Sequence, residues 1–154
     1  MLAALLPWAT ACRGSSGSPF DADVTGILES PDTFEILALD PMPHELSPSE
    51  GEIFHGYRVL GQIELSSAGE RRQLLEAIYR GIHESEGMAA ACFNPRHGIH
   101  AVRAQDTVDL VICFECLSMQ VYGPSGRDSV LTHSSVEPSV SAIYRSNGLK
   151  IAPH

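Results

Sequence analysis

Apolar and polar residues alternate with two different periods along this chain, and the change of period marks out its elements. Val24 to Leu28, and Thr33 to Leu39 after the turn-forming Ser30-Pro31-Asp32, are short runs of strand composition. Asp40 to Glu50 holds Pro41, Pro43 and Pro48 and reads as a loop. From Ile53 to Leu65 strand character returns, with Gly56 and Gly61 marking bulges or close backbone approach. The period then lengthens. Ser67 with Glu70 three places on spells a capping box, and Leu74, Leu75, Ile78 and Ile82 follow on one helical face, with Gly87 as the stop. Arg71, Arg72, Glu76 and Arg80 take the opposite face, where ion pairs in solvent explain them more simply than an anion site does.

Beyond Asn94-Pro95 the period returns to two. Ile99 to Ala104 is a strand, Gln105-Asp106 the tip of a hairpin, and Val108 to Tyr122 a single long central strand. Gly123 to Asp128 is a turn, Ser129 to His133 a last strand, and Pro138 to Asn147 a short helix opened by its proline and closed by Asn147-Gly148. Strands, a long helix and a further run of strands define an α+β protein. The expected architecture is an antiparallel sheet of about four to six strands, with the long helix and the short C-terminal helix packed on one face.

The N-terminal stretch is organised differently. Met1 to Ala11 (MLAALLPWATA) is an apolar run too short to span a bilayer, ending in small residues before Cys12. Arg13 to Pro19 (RGSSGSP) has the composition of a flexible coil. The expected division is a leader over 1–11 whose start lies upstream of Met1, a tether over 12–23, and one α+β domain over 24–154. Ala9-Thr10-Ala11-Cys12 resembles the lipobox of bacterial lipoproteins. That resemblance implies cleavage before Cys12, a lipid on Cys12, and a place in the cell envelope facing the periplasm or the exterior. If the run is not a leader, the protein is cytoplasmic.

Charge narrows the partners. A chain of 154 residues with a formal net charge of -9 and only 10 Lys and Arg repels phosphate backbones and anionic headgroups, so nucleic acid is excluded as a partner. Association with a membrane falls to the lipid anchor, and the working surface to an unknown protein partner.

Candidate chemistry gathers between Cys92 and Cys116. Cys92, His97, Cys113 and Cys116 have the spacing C-x4-H followed by C-x2-C, a set that suits zinc, although no cofactor is the leading expectation. Residues three apart on a regular strand point to opposite faces and lie about 10 Å apart at Cα, which disfavours a Cys113–Cys116 bridge unless a bulge falls at Glu115. A disulfide from Cys92 to Cys113 or Cys116 needs no such distortion. The open alternatives are therefore that disulfide with one cysteine left over, three buried thiols, or a metal site. His97 and His100 also sit three apart, so one is expected inward and hydrogen-bonded, the other outward and solvated. Arg96, His97 and Glu115 are candidates for a small ligand-binding or acid–base cluster, with an Arg96–Glu115 structural ion pair as the simpler reading.

The spelling ACFNPRHGIHAV followed by DLVICFECLSMQVY, with the upstream SPDTFEILALDP and FHGYRVLG, resembles a group of small uncharacterised bacterial proteins carrying a CFxPRHGI and DLVICFEC signature. The resemblance covers roughly residues 31 to 122 and implies kinship without an activity. Two functions follow from the residues: a lipid-anchored, non-enzymatic envelope protein acting through protein contacts, or a small metal- or ligand-binding module or enzyme built on Cys92, His97, Cys113 and Cys116.

Overall fold

A computed structural model describes residues 18–43 and 51–154. The expected leader and Cys12 lie outside the described residues, as does the 44–50 part of the segment expected to be a loop. Element order is α1 (Ala22–Glu29), β1 (Thr33–Pro43), β2 (Ile53–Phe54), β3 (Tyr57–Glu64), α2 (Ala68–His83), β4 (His97–Arg103), β5 (Asp106–Cys113), β6 (Ser118–Gly123), β7 (Gly126–Leu131) and, after a 3-10 turn, α3 (Glu137–Ser146). The protein is α+β, with seven strands where four to six were expected, in the order β2-β3-β1-β4-β5-β6-β7 and every neighbouring pair antiparallel.

Four differences from the sequence reading stand out. Val24 to Leu28 is helical, because Val24, Ile27 and Leu28 are buried on one face of α1, which packs against β4 and β5. Residues 18–23 do not form a loose tether: Phe20 is buried in the core and Ala22 already begins α1. The single long strand expected over Val108 to Tyr122 is a hairpin, folded at Phe114-Glu115-Cys116-Leu117, with Leu117 in the left-handed region at φ 57°. Strand β1 also runs on to Pro43, into the segment expected to be a loop.

The long helix begins where its capping box lies. Ser67 Oγ accepts from the Glu70 amide at 3.2 Å, and Leu74, Leu75 and Ile78 are buried. It ends at His83, short of Gly87. On the far side Arg71 donates to the carbonyls of Leu65 and Ser66, so this arginine braces the helix start. Connecting β3 to β4, α2 crosses over β1, which lies between them. It packs against α3, and all three helices share one core with Phe34, Ile36, Ile99, Leu110, Ile112 and Met119 of the sheet. Among the described residues no helix is long and apolar enough to cross a membrane.

The second face of the sheet has its own small cluster. Leu37, Leu39 and Val111 are buried there beneath Phe54, Tyr57, Val59, Phe93 and Tyr122. The β2–β3 hairpin curls over this face, so that the Phe54 ring comes to lie against Gly98.

Candidate functional site

Strand register assembles one polar row across this second face. Glu64, Glu35, His100, Asp109, Tyr122 and Arg127 are successive cross-strand neighbours on β3, β1, β4, β5, β6 and β7. Since side chains alternate along a strand, all six share one face, opposite the helices. The β2–β3 hairpin places a seventh residue over the row. Its turn is His55-Gly56, with φ 50° and 91°, and positive φ at both positions is what a two-residue hairpin of this hand requires.

His55 reaches Asp109 across 54 positions of sequence. Its Nε2 lies 2.7 Å from Asp109 Oδ2, while His100 Nδ1 lies 2.6 Å from Oδ1, so one carboxylate bridges two imidazoles. The His55 ring stacks on Tyr122 with centroids 3.7 Å apart, and Arg127 lies over the Tyr122 ring at 5.6 Å. Burial pushes the Asp109 carboxyl up, but hydrogen bonds from His55 and His100, with attraction to both rings, outweigh it and hold the pKa below its ordinary 3.8. An ionised Asp109 only accepts, so both imidazoles donate to it, and each keeps its other nitrogen for a contact outside the bridge. Beside this bridge, Glu35 stands directly opposite Glu64 on the neighbouring strand. Like charges so placed repel.

The residues singled out from sequence divide into separate places. Arg96 and Glu115 do meet: Arg96, only 7% exposed, donates to Glu115 Oε2 at 2.8 Å and to the Pro153 and Asn94 carbonyls at 3.1 and 3.3 Å. The hydrogen bond and charge of Arg96 hold the Glu115 carboxyl below its ordinary range. His97 does not join them. It faces the helices, with Nε2 2.9 Å from Ser141 Oγ and its ring edge-on to Phe114 and Tyr144. Burial, then the charges of Arg145, Arg96 and His154, lower its pKa to about 3, so it is a neutral core residue. His100 is the one of the two that faces the other way, and instead of being solvated alone it is bonded to Asp109.

The cysteines pair differently from the favoured expectation. Cys113 and Cys116 form the disulfide, and Cys92 is free and exposed. The turn at 114–117 brings their Cα atoms to 5.1 Å, the closure that a continuous strand would have forbidden. As a disulfide the pair offers no thiolate, and with His97 directed to Ser141 the four zinc candidates do not converge. Among the described residues no group of three or more His, Cys, Asp or Glu is placed to hold a metal ion.

Sequence reasoning missed His55 and Asp109. Two signals pointed to them: a histidine before glycine at a hairpin tip, and a lone carboxylate inside the apolar stretch Val108-Asp109-Leu110-Val111. The bridge is drawn from three separate stretches, since FHGY supplies His55, the segment after PRHG supplies His100, and DLVIC supplies Asp109. No protein-family model matches the chain, nor does any curated protein or solved structure.

Proposed function

We propose that the chain is a non-enzymatic binding module of the bacterial cell envelope, held to a membrane through a lipidated Cys12. Its recognition surface is the open sheet face around His55, His100 and Tyr122, and its partner is a protein with a basic contact surface. The observation that carries this reading is the His55–Asp109–His100 bridge. A histidine in the left-handed region costs the turn roughly 1 kcal/mol more than glycine would, and such cost tends to persist where a side chain is needed for contact. The surroundings support recognition. Phe54, Tyr57 and Tyr122 are partly exposed aromatics, the kind of side chain that anchors protein contacts. The repulsion between Glu35 and Glu64 is relieved when a basic group docks, and the net charge of -9 steers such a partner in. Neither imidazole of the bridge is hydrogen-bonded to a hydroxyl or thiol among the described residues, which supports binding over nucleophilic catalysis.

Two experiments test the two halves. Labelled fatty acid should enter the protein made from its upstream start and not its Cys12→Ala variant; equal labelling overturns the anchor. A partner cross-linked through the wild-type sheet face should be lost from a His100→Ala/Tyr122→Ala variant and kept by Arg72→Ala on the helix side. Retention by the double variant overturns the recognition surface.

A further inference from the structure

Three sulfurs lie at one end of the sheet, and their accessibility differs sharply. Cys113 closes β5 and Cys116 lies in the four-residue connection to β6; as partners in the disulfide they are 1% and 0% exposed. A thiol in solution therefore has no direct line to either. The loop between α2 and β4 lies against the bridge. The Ala90 amide donates to the Cys116 carbonyl at 3.0 Å, and the Asn94 amide donates to Cys116 Sγ itself at 3.2 Å. Cys92 sits midway between these two anchors, exposed and unbonded. Two residues of chain span at most about 7 Å, so the Cys92 backbone is held within about that distance of the Asn94 amide that touches Cys116 Sγ.

We propose that Cys92 is a relay thiol, exchanging with the buried Cys113–Cys116 disulfide and carrying electrons between it and low-molecular-weight thiols in solution. In the first step the Cys92 thiolate attacks Cys116 Sγ. The Cys92–Cys116 bond forms as the Cys113–Cys116 bond breaks, and the bonding electron pair leaves on Cys113 Sγ. The proton given up by Cys92 is returned through solvent to Cys113. No oxidant or reductant is consumed, since one disulfide and one thiol stand on each side.

The tethering of the Cys92 loop sets the direction of this step. Cys116 is the sulfur attacked because the chain on either side of Cys92 is tied to that residue, through its carbonyl on one side and its sulfur on the other. Cys113 is then the leaving group, and the Cys116 amide, 3.1 Å from Cys113 Sγ, stabilises the departing thiolate, as the Asn94 amide does for Cys116 in the following step. The new disulfide has one sulfur at the surface. An external thiol then attacks Cys92 Sγ and releases Cys116 as a thiolate, leaving a mixed disulfide on Cys92. A second external thiol frees Cys92, so two thiols become one small disulfide and the hairpin bridge is reduced. The same steps run backwards oxidise it.

The test is reduction of the folded, full chain by glutathione, quenched by alkylation and mapped by peptide mass. Cleavage after Arg96 separates Cys92 from the hairpin, and cleavage after Glu115 separates Cys113 from Cys116. The expected result is a transient species with Cys92 joined to Cys116 and the alkyl group on Cys113. In Cys92→Ser the hairpin bridge should be reduced at least about tenfold more slowly, because a tethered thiol outcompetes millimolar external thiol. Equal rates in the two proteins overturn the relay, as does a glutathione adduct on Cys113 or Cys116 with Cys92 still free. A misfolded Cys92→Ser protein would expose the bridge and speed its reduction, the opposite of the expected change.

Discussion

Phe54 rests on Gly98. A Cβ built on this glycine would lie 3.2 Å from Phe54 Cε1 and 3.3 Å from both Leu37 Cβ and Leu39 Cδ1, so the ring occupies the space that any other residue would fill. From the helix side, Tyr144 donates its hydroxyl to the Gly98 carbonyl at 2.6 Å. Gly98→Ala gains strand propensity but must push aside a ring and the root of a side chain on a central strand. The expected outcome is a net loss of about 1–2 kcal/mol in urea unfolding. It should also weaken partner cross-linking, because His55 follows Phe54 directly. A variant as stable as the wild type would mean that the hairpin yields without cost.

His55→Asn separates stability from recognition. Asparagine tolerates the left-handed conformation better than histidine, so relief of turn strain offsets the loss of a partly exposed bond to Asp109 and of the stack on Tyr122. Melting should change by no more than the equivalent of about 0.5 kcal/mol, while cross-linking of the partner falls severalfold. A large drop in melting temperature with binding intact would make His55 a structural residue.

His97 gives stability a defined dependence on pH. Its pKa falls from 6.5 in the unfolded chain to about 3 in the folded protein, so between these values the unfolded state binds the extra proton. Its contribution is complete above pH 6.5 and declines as pH falls toward 3, by at most about 1.4 kcal/mol per pH unit. Asp109, held below 3.8, and Glu115, held below 4.5, add their own losses only at more acidic pH, so the window from 6.5 to 4.5 lies above both. Denaturant midpoints of His97→Gln across that window should fall less steeply than those of the wild type. Parallel curves would assign the dependence elsewhere.

What could be read in the sequence was what is local. The start of α2 and its buried stripe follow from Ser67, Glu70, Leu74 and Ile78, residues within a few turns of one another. The ends of α3 follow in the same way from Pro138 and Asn147. The hairpin at 114–117 was hidden because its turn lacks glycine, proline and asparagine, and because Phe114 and Cys116 are buried like strand residues. For α1, packing on β4 and β5 overrode a β-branched composition and a glycine within eight residues. The Arg96–Glu115 pair was legible as a charge match, whereas His97 was not separable from it, since one step along a strand turns a side chain to the other face. The His55–Asp109 bridge depends on where a hairpin tip lands across the sheet, and no window of sequence contains both ends.

Strand β1 joins the two flanks of the sheet, with β2 and β3 on one side and β4 to β7 on the other. His55 rides on the first flank and Asp109, His100 and Tyr122 on the second, so the bond between them works as a clasp fastened over the central strand. Neither flank alone carries the whole of the proposed recognition surface. The clasp forms only when both halves have docked on β1, so under the proposed function binding competence would report on completed folding.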